Sequence, residues 1–178
     1  MKTGMKVAKT FIVAATALAA ASCSKPQSVS DLKTAMLSLS QAGEQDHVTE
    51  DHYRTLLMDA RDSFTTAKDK LSVDTAAACS LALDRAGDVE TVWTDTDGIA
   101  DGLTPVVEAP LKRLGVVKND ADFAARANYF IPLQESPDDD TPQDAAGKEQ
   151  ARDQARHDLI KEALDAADPL LVKAEAGL

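Results

Sequence analysis

Four acidic residues have the chemistry of a calcium site and part of its spacing. They are Asp95, Asp97, Asp101 and Glu108. A calcium-binding loop places oxygen ligands at positions 1, 3, 5 and 12 and glycine at position 6. If Asp97 is position 1, the sequence fits at every one of these positions except position 3, which is Ile99. The alternative is a turn that links two helices, because Asp and Gly favour turn conformations. The departure at position 3 favours the turn. We predict no metal and no other cofactor, and keep these four residues as the calcium candidate.

Residues that could act as catalysts are not grouped in any recognisable pattern. A nucleophilic cysteine needs nearby cations that lower its pKa, but Cys79 is flanked by Asp74 and Asp84, and Arg85 is the only cation close in sequence. The three histidines lack the spacing of a zinc site. The chain contains neither a Gly-x-Ser-x-Gly motif nor a glycine-rich phosphate loop. The sequence therefore predicts no catalytic residue and, with it, a protein that is not an enzyme. Cys79 is predicted to be a buried thiol where two helices contact each other.

The first 22 residues have the pattern of an export signal. They contain three lysines and no acidic residue, and positions 10–22 are almost wholly small and apolar. The apolar run is shorter than the roughly 20 residues that a membrane-spanning helix needs. We predict a signal peptide at 1–22, with the remainder of the chain exported from the cytoplasm.

The exit of this signal, Ala20-Ala21-Ser22-Cys23, resembles the lipobox of bacterial lipoproteins, in which small residues precede an obligatory cysteine. It departs from the usual pattern at Ala20, where leucine is commoner. The resemblance implies lipidation of Cys23 and cleavage before it, and three acyl chains are ample for stable anchoring. Ser24 after the cysteine implies the outer membrane of a Gram-negative bacterium. The alternative is an ordinary secretory signal that is cut after Ala21.

The charge of the chain excludes one class of partner. The formal net charge is −11, and after position 22 the chain has 16 basic residues against 30 acidic ones. Nucleic-acid binding needs clustered Lys and Arg, so nucleic acid is not a predicted partner. The predicted partners are the membrane, through the N-terminal lipid, and another envelope protein.

Apolar residues recur at helical spacing along the chain, and no run alternates long enough to form a strand. We predict an all-α fold, a single-domain helical bundle of about four main helices plus short ones. The predicted organisation is a lipidated tether at 23–27 and a helical domain at 28–178, with an exposed acidic loop near 132–142.

Local signals predict where the helices begin and end. The first is expected to start at a Ser28 or Ser30 cap and to end at Gly43. The second is capped by Thr49 and extends to 71, and the third starts after 74 and ends near 93, before a turn-rich stretch. Thr104 and Gly115 bound two short elements, and Asn119 or Asp120 caps the next helix, to about 130. The last helix starts at 141–142 and is ended or kinked by Pro169.

These features together predict a lipid-anchored, extracytoplasmic helical protein with a non-catalytic protein-interaction role in the bacterial cell envelope. Its acidic exterior would steer association with basic partners. One alternative is a small-molecule or lipid carrier, which an apolar pocket between helices would favour. Another is an inhibitor or immunity-type protein of a cationic enzyme or toxin.

Overall fold

The computed structural model describes residues 25–45, 48–97, 103–130 and 142–178, without the side chains of 97, 128–130, 142–146 and 148. The predicted signal peptide and Cys23 lie outside these ranges, as does nearly all of the predicted acidic loop.

The described residues form α-helices and short 3-10 helices and contain no strand, which confirms the predicted all-α bundle. The α-helices are α1 (Gln27–Gly43), α2 (Glu50–Ala67), α3 (Val73–Asp97), α4 (Glu108–Leu114), α5 (Asp120–Phe130) and α6 (Pro142–Gly177). The 3-10 helices are Lys68–Lys70 and Pro105–Val107. The four long helices α1, α2, α3 and α6 match the predicted number of main helices. In the described ranges, no helix is both long enough and apolar enough to cross a bilayer.

The four long helices pack in a ring, in which α1 contacts α2 and α6 and α3 contacts the same two helices. The chain runs up and down, because α1 lies antiparallel to α6: Lys33 pairs with Glu175, and Ser40 donates a hydrogen bond to Asp168 further along. The bundle therefore has two distinct ends. We call 25–33, 68–75 and 173–178 the tether end, and 43–50, 90–97 and 153–164 the distal end.

Several predicted helix ends are confirmed by their caps. The Thr49 hydroxyl accepts the backbone N–H of His52 at 3.3 Å, and the Asn119 amide oxygen accepts that of Asp122 at 2.9 Å. Gly115 ends α4 with φ of 78°, a left-handed conformation that glycine adopts without a steric penalty.

The predicted boundaries of α1 and α2 are wrong in part. Helix α1 begins at Gln27 directly after Pro26 and has no side-chain cap, so Ser28 and Ser30 lie inside it. Pro26 has a fixed φ that is suited to a helix entry. Helix α2 ends at Ala67, and the chain tightens into a 3-10 turn before Leu71.

The third helix is longer than predicted, and the last helix continues through the proline that was predicted to end or kink it. Helix α3 starts at Val73, where the Ser72 hydroxyl accepts the Thr75 N–H at 3.1 Å, and continues to Asp97. It extends past Trp93 because Thr96 is fully buried, with its hydroxyl 2.9 Å from the carbonyl oxygens of Val92 and Trp93. Helix α6 does not end at Pro169 but continues through it to Gly177.

Candidate functional site

A pocket of about 270 Å³ opens at the distal end of the bundle, between the end of α1, α3 and α6. Its apolar wall consists of Val48, Trp93, Ile160 and Leu164. Its rim carries the charged or polar side chains of Asp153, Arg156, His157 and Lys161. The last turn of α1 and the two residues after it close the third side.

The unequal lengths of α1 and α6 create this pocket. Helix α1 ends at Gly43, which faces Leu164: a Cβ on the glycine would lie 3.8 Å from that side chain. Helix α6 extends a further 22 residues beyond this level, to Pro142, which is about 33 Å of helix. The face of α6 that α1 no longer covers therefore borders the pocket.

Trp93 forms the inner wall and is held by a buried aromatic partner. Its ring lies 5.8 Å from that of Tyr53, with an angle of 33° between the planes. The Tyr53 hydroxyl is 3.4 Å from the carbonyl oxygen of Ala86, to which it donates. Burial, together with the nearby Glu90 carboxylate, raises the pKa of Tyr53, so this side chain stays neutral and provides a fixed support.

The rim of the pocket contains charges of both signs. Arg156 lies 3.3 Å from Asp153, and the Lys161 ammonium lies 3.4 Å from Asp165. His157 is exposed beside them. The arrangement suits a group with an apolar body and a polar edge, because the wall excludes water while the rim offers hydrogen-bond donors and acceptors.

Two of the four calcium-candidate residues have protein partners. Asp95 accepts the Thr104 hydroxyl at 2.7 Å and its backbone N–H at 3.3 Å, and Glu108 accepts from Lys112 at 2.7 Å. The Asp97 side chain and Asp101 lie outside the described residues. Among the side chains that the structure describes, no group of three or more His, Cys, Asp or Glu could hold a metal ion. The calcium candidate is therefore neither supported nor excluded, and what the structure adds is a role for Asp95 in fixing the segment that enters α4.

Cys79 is fully buried in α3, as predicted. Burial raises its pKa, because a thiolate would lose its hydration there. The thiol therefore stays protonated and packs as a small apolar side chain. Of the histidines, His52 is exposed on α2, His157 is on the pocket rim, and His47 lies outside the described residues.

The sequence alone does not reveal the pocket, since its walls come from segments up to 121 positions apart in the chain. One signal was present: Ile160 and Leu164 widen the apolar face of α6 beyond a single stripe. Ile160 remains only partly buried, whereas Leu164 is nearly covered.

No protein-family model, no curated protein and no solved structure matches the chain. The interpretation of the pocket therefore depends on its geometry.

Proposed function

We propose that the chain is a lipid-anchored, extracytoplasmic helical protein with a non-catalytic binding role in the bacterial cell envelope, and that its distal end meets a partner protein. One observation supports the proposal: Lys25, the first described residue after the predicted anchor, lies at the opposite end of the bundle from the pocket. Lys25, two positions after Cys23, donates to the backbone carbonyl of Leu178 at the tether end. Gly43 is sixteen helical residues from Gln27, about 24 Å away.

The pocket has the features of a docking point for a partner's side chain. Interfaces obtain most of their binding energy from a few large side chains that enter dehydrated pockets, surrounded by a polar rim. The wall at Trp93, Ile160 and Leu164 supplies the first feature, and the rim of charged residues on α6 supplies the second. The excess of acidic residues outside the pocket would accelerate encounter with a basic partner, an effect that salt weakens.

Photo-crosslinking in the native envelope tests this proposal. A photoreactive residue at His157, on the pocket rim, is compared with one at Lys173, which is exposed on the same helix at the tether end. We expect one protein to be captured from His157 and not from Lys173, with a yield that falls as salt rises. Capture of that protein from Lys173 alone would contradict the proposal.

Filling the pocket provides the specificity control. Ile160→Trp places a larger side chain at a partly buried wall position, and Leu37→Trp introduces the same side chain at an exposed position of α1 away from the pocket. We expect Ile160→Trp to abolish capture and Leu37→Trp to preserve it. If the captured protein is a cationic enzyme or toxin whose activity falls in the complex, the partner is of the inhibitor or immunity type.

The volume and apolar wall of the pocket favour a second candidate, a small-molecule carrier. Ligand sites usually occupy about 300–1,000 Å³, so a pocket of about 270 Å³ suits a small ligand better than a lipid. Native mass spectrometry of protein purified from its envelope distinguishes the two candidates. A bound small molecule that is absent from folded Ile160→Trp protein would support the carrier, and an empty pocket would support the protein interaction.

A further inference from the structure

The tether end carries a group of five lysines, several of which are exposed and form no ion pair. Its members are Lys25, Lys33, Lys68, Lys70 and Lys173. Four of them are exposed, and the Lys33 side chain is 45% exposed. They come from both ends of the described chain and from the turn between α2 and α3, so the fold brings together residues that are distant in sequence.

Three of these lysines, Lys68, Lys70 and Lys173, have no ion pair with a described carboxylate. Lys33 forms an ion pair with Glu175 at 3.1 Å. Lys25 donates to the main-chain oxygen of Leu178, and Lys70 donates to the Ser28 hydroxyl at 2.8 Å. Lys68 and Lys173 have no ion-pair partner among the described residues, so their charges face solvent.

Two arginines elsewhere in the bundle are paired with carboxylates. Arg54 lies 3.2 Å from both Asp51 and Glu90. Arg113 donates to both oxygens of Asp88. These arginines are paired within the protein, whereas Lys68, Lys70 and Lys173 remain available to an external anion.

The charge balance of the tether end is also unlike that of the whole chain. Its five lysines face four acidic residues, Asp31, Asp69, Asp74 and Glu175. The rest of the chain after position 22 has 11 basic residues against 26 acidic ones. The tether end is thus much less acidic than the rest of the exported chain taken together.

We propose that the tether end docks on an anionic phospholipid surface, with its lysines at the headgroups and the distal end directed away from the membrane. This inference rests on the lipid anchor that we propose at Cys23. The anchor makes a membrane the natural occupant, because two residues of extended chain span at most about 7 Å. Lys25 is therefore held within one Debye length of the bilayer, which is about 8–10 Å at physiological salt.

Distance also explains why the acidic remainder of the chain does not prevent docking. The distal end is about 24 Å from the start of α1, more than two Debye lengths, so its repulsion from the membrane is largely screened. The lysines lie close enough to be attracted, and each favours the docked orientation about fivefold. Val73, which is 85% exposed at the start of α3, adds an apolar contact at the same end.

Hydrogen exchange of the acylated protein in vesicles tests the proposal. Vesicles of phosphatidylcholine with phosphatidylglycerol are compared with vesicles of phosphatidylcholine alone at 0.1 M salt. We expect amide exchange at 68–76 to slow several-fold in the anionic vesicles and exchange at 48–56, at the distal end, to be unchanged. Equal exchange at 68–76 in both kinds of vesicle, or slowing at the distal end, would overturn the proposal.

A pair of double variants tests whether the lysines cause the orientation. Lys68→Gln with Lys173→Gln removes two charges from the tether end, and Lys118→Gln with Arg152→Gln removes two from elsewhere on the surface. We expect the first pair to lower the docked-to-free ratio about 25-fold, so that the protection at 68–76 is lost, and the second pair to preserve it. Protection that survives the first pair would overturn the proposal.

The experiments distinguish an error in the proposed lipid anchor from an error in the proposed orientation on the membrane. If the protein lacks acyl chains and does not float with vesicles, the anchoring proposal is wrong. The orientation is then tested by coupling the Cys23 thiol to a maleimide lipid, which is selective because Cys79 is buried. The same exchange pattern is expected, and its absence would overturn the orientation independently of acylation.

Discussion

Asp88 is the most deeply buried acidic side chain in the described part of the chain. It is 6% exposed on α3 and receives hydrogen bonds from Arg113 on α4, at 3.0 and 3.1 Å, and from Arg85 at 3.2 Å. A buried carboxylate is stable only with such partners, because it has lost its hydration. The hydrogen bond to Asp88 in turn raises the pKa of Arg113. One residue therefore fixes the short helix α4 against the bundle.

Replacing this carboxylate tests its contribution. Asp88→Asn preserves the size of the side chain but removes the charge that two arginines share, so we expect a loss of about 2 kcal/mol in the free energy of unfolding. For a domain of this size that corresponds to a melting temperature lower by about 4–8 °C, measurable by circular dichroism.

Asp84→Asn is the matched control, because Asp84 is exposed on the same helix and forms no ion pair among the described residues. Its effect should remain within about 0.5 kcal/mol. Equal losses in the two variants would show that the Asp88 contacts do not stabilise the fold.

At the scale of the helix, α6 contains a proline in its interior and nevertheless continues past it. Pro169 lies inside the helix, lacks a backbone N–H, and therefore leaves the carbonyl of Asp165 without its usual partner. The helix continues because the turns on both sides are buried: Ala167 is 1% exposed, Leu171 3% and Ala174 1%. Packing against α1 and α3 thus offsets a local preference that would end the helix.

The substitution Pro169→Ala should therefore stabilise the protein. Alanine is favoured over proline by about 3 kcal/mol in a helix interior, and loss of the proline restraint on the unfolded chain offsets about 1 kcal/mol. We expect a net gain of about 2 kcal/mol in denaturant unfolding. Pro105→Ala is the control, since Pro105 occupies the first turn of a 3-10 helix, where proline is tolerated, and should give no gain. An unchanged or lower stability for Pro169→Ala would refute this explanation.

The contrast among the helix ends shows what the sequence can predict. The caps at Thr49 and Asn119 and the stop at Gly115 depend on residues within one helical turn, so local patterns identify them. The extension of α3 past Trp93 depends on burial of Thr96 by other parts of the chain, and the continuation through Pro169 depends on packing. Such tertiary contacts override local propensity and are not visible in a local pattern.

The pocket was beyond prediction for a related reason. It exists because α1 stops at Gly43 while α6 continues, and no local signal links these two lengths. The aromatic support of Trp93 by Tyr53 joins residues 40 positions apart. The sequence supplied the apolar stripes, and only the three-dimensional arrangement shows where a stripe is left uncovered.

At the scale of the whole molecule, the up-and-down path of the chain gives the bundle a direction. The start of α1, the end of α6 and the lysines share the tether end, and the pocket occupies the distal end. The lipid anchor that we propose at Cys23, the lysine-rich surface and the pocket would then have separate places along one axis. The account depends most on the predicted anchor, because the anchor determines which end faces the membrane.

Mass spectrometry of the mature protein from its native membrane tests that claim most directly. The account predicts a chain that begins at Cys23, with a diacylglyceryl group on its sulfur and a third acyl chain on its amine. An unmodified N-terminal peptide that begins at Ser22, or at Cys23 with a free thiol, would contradict it.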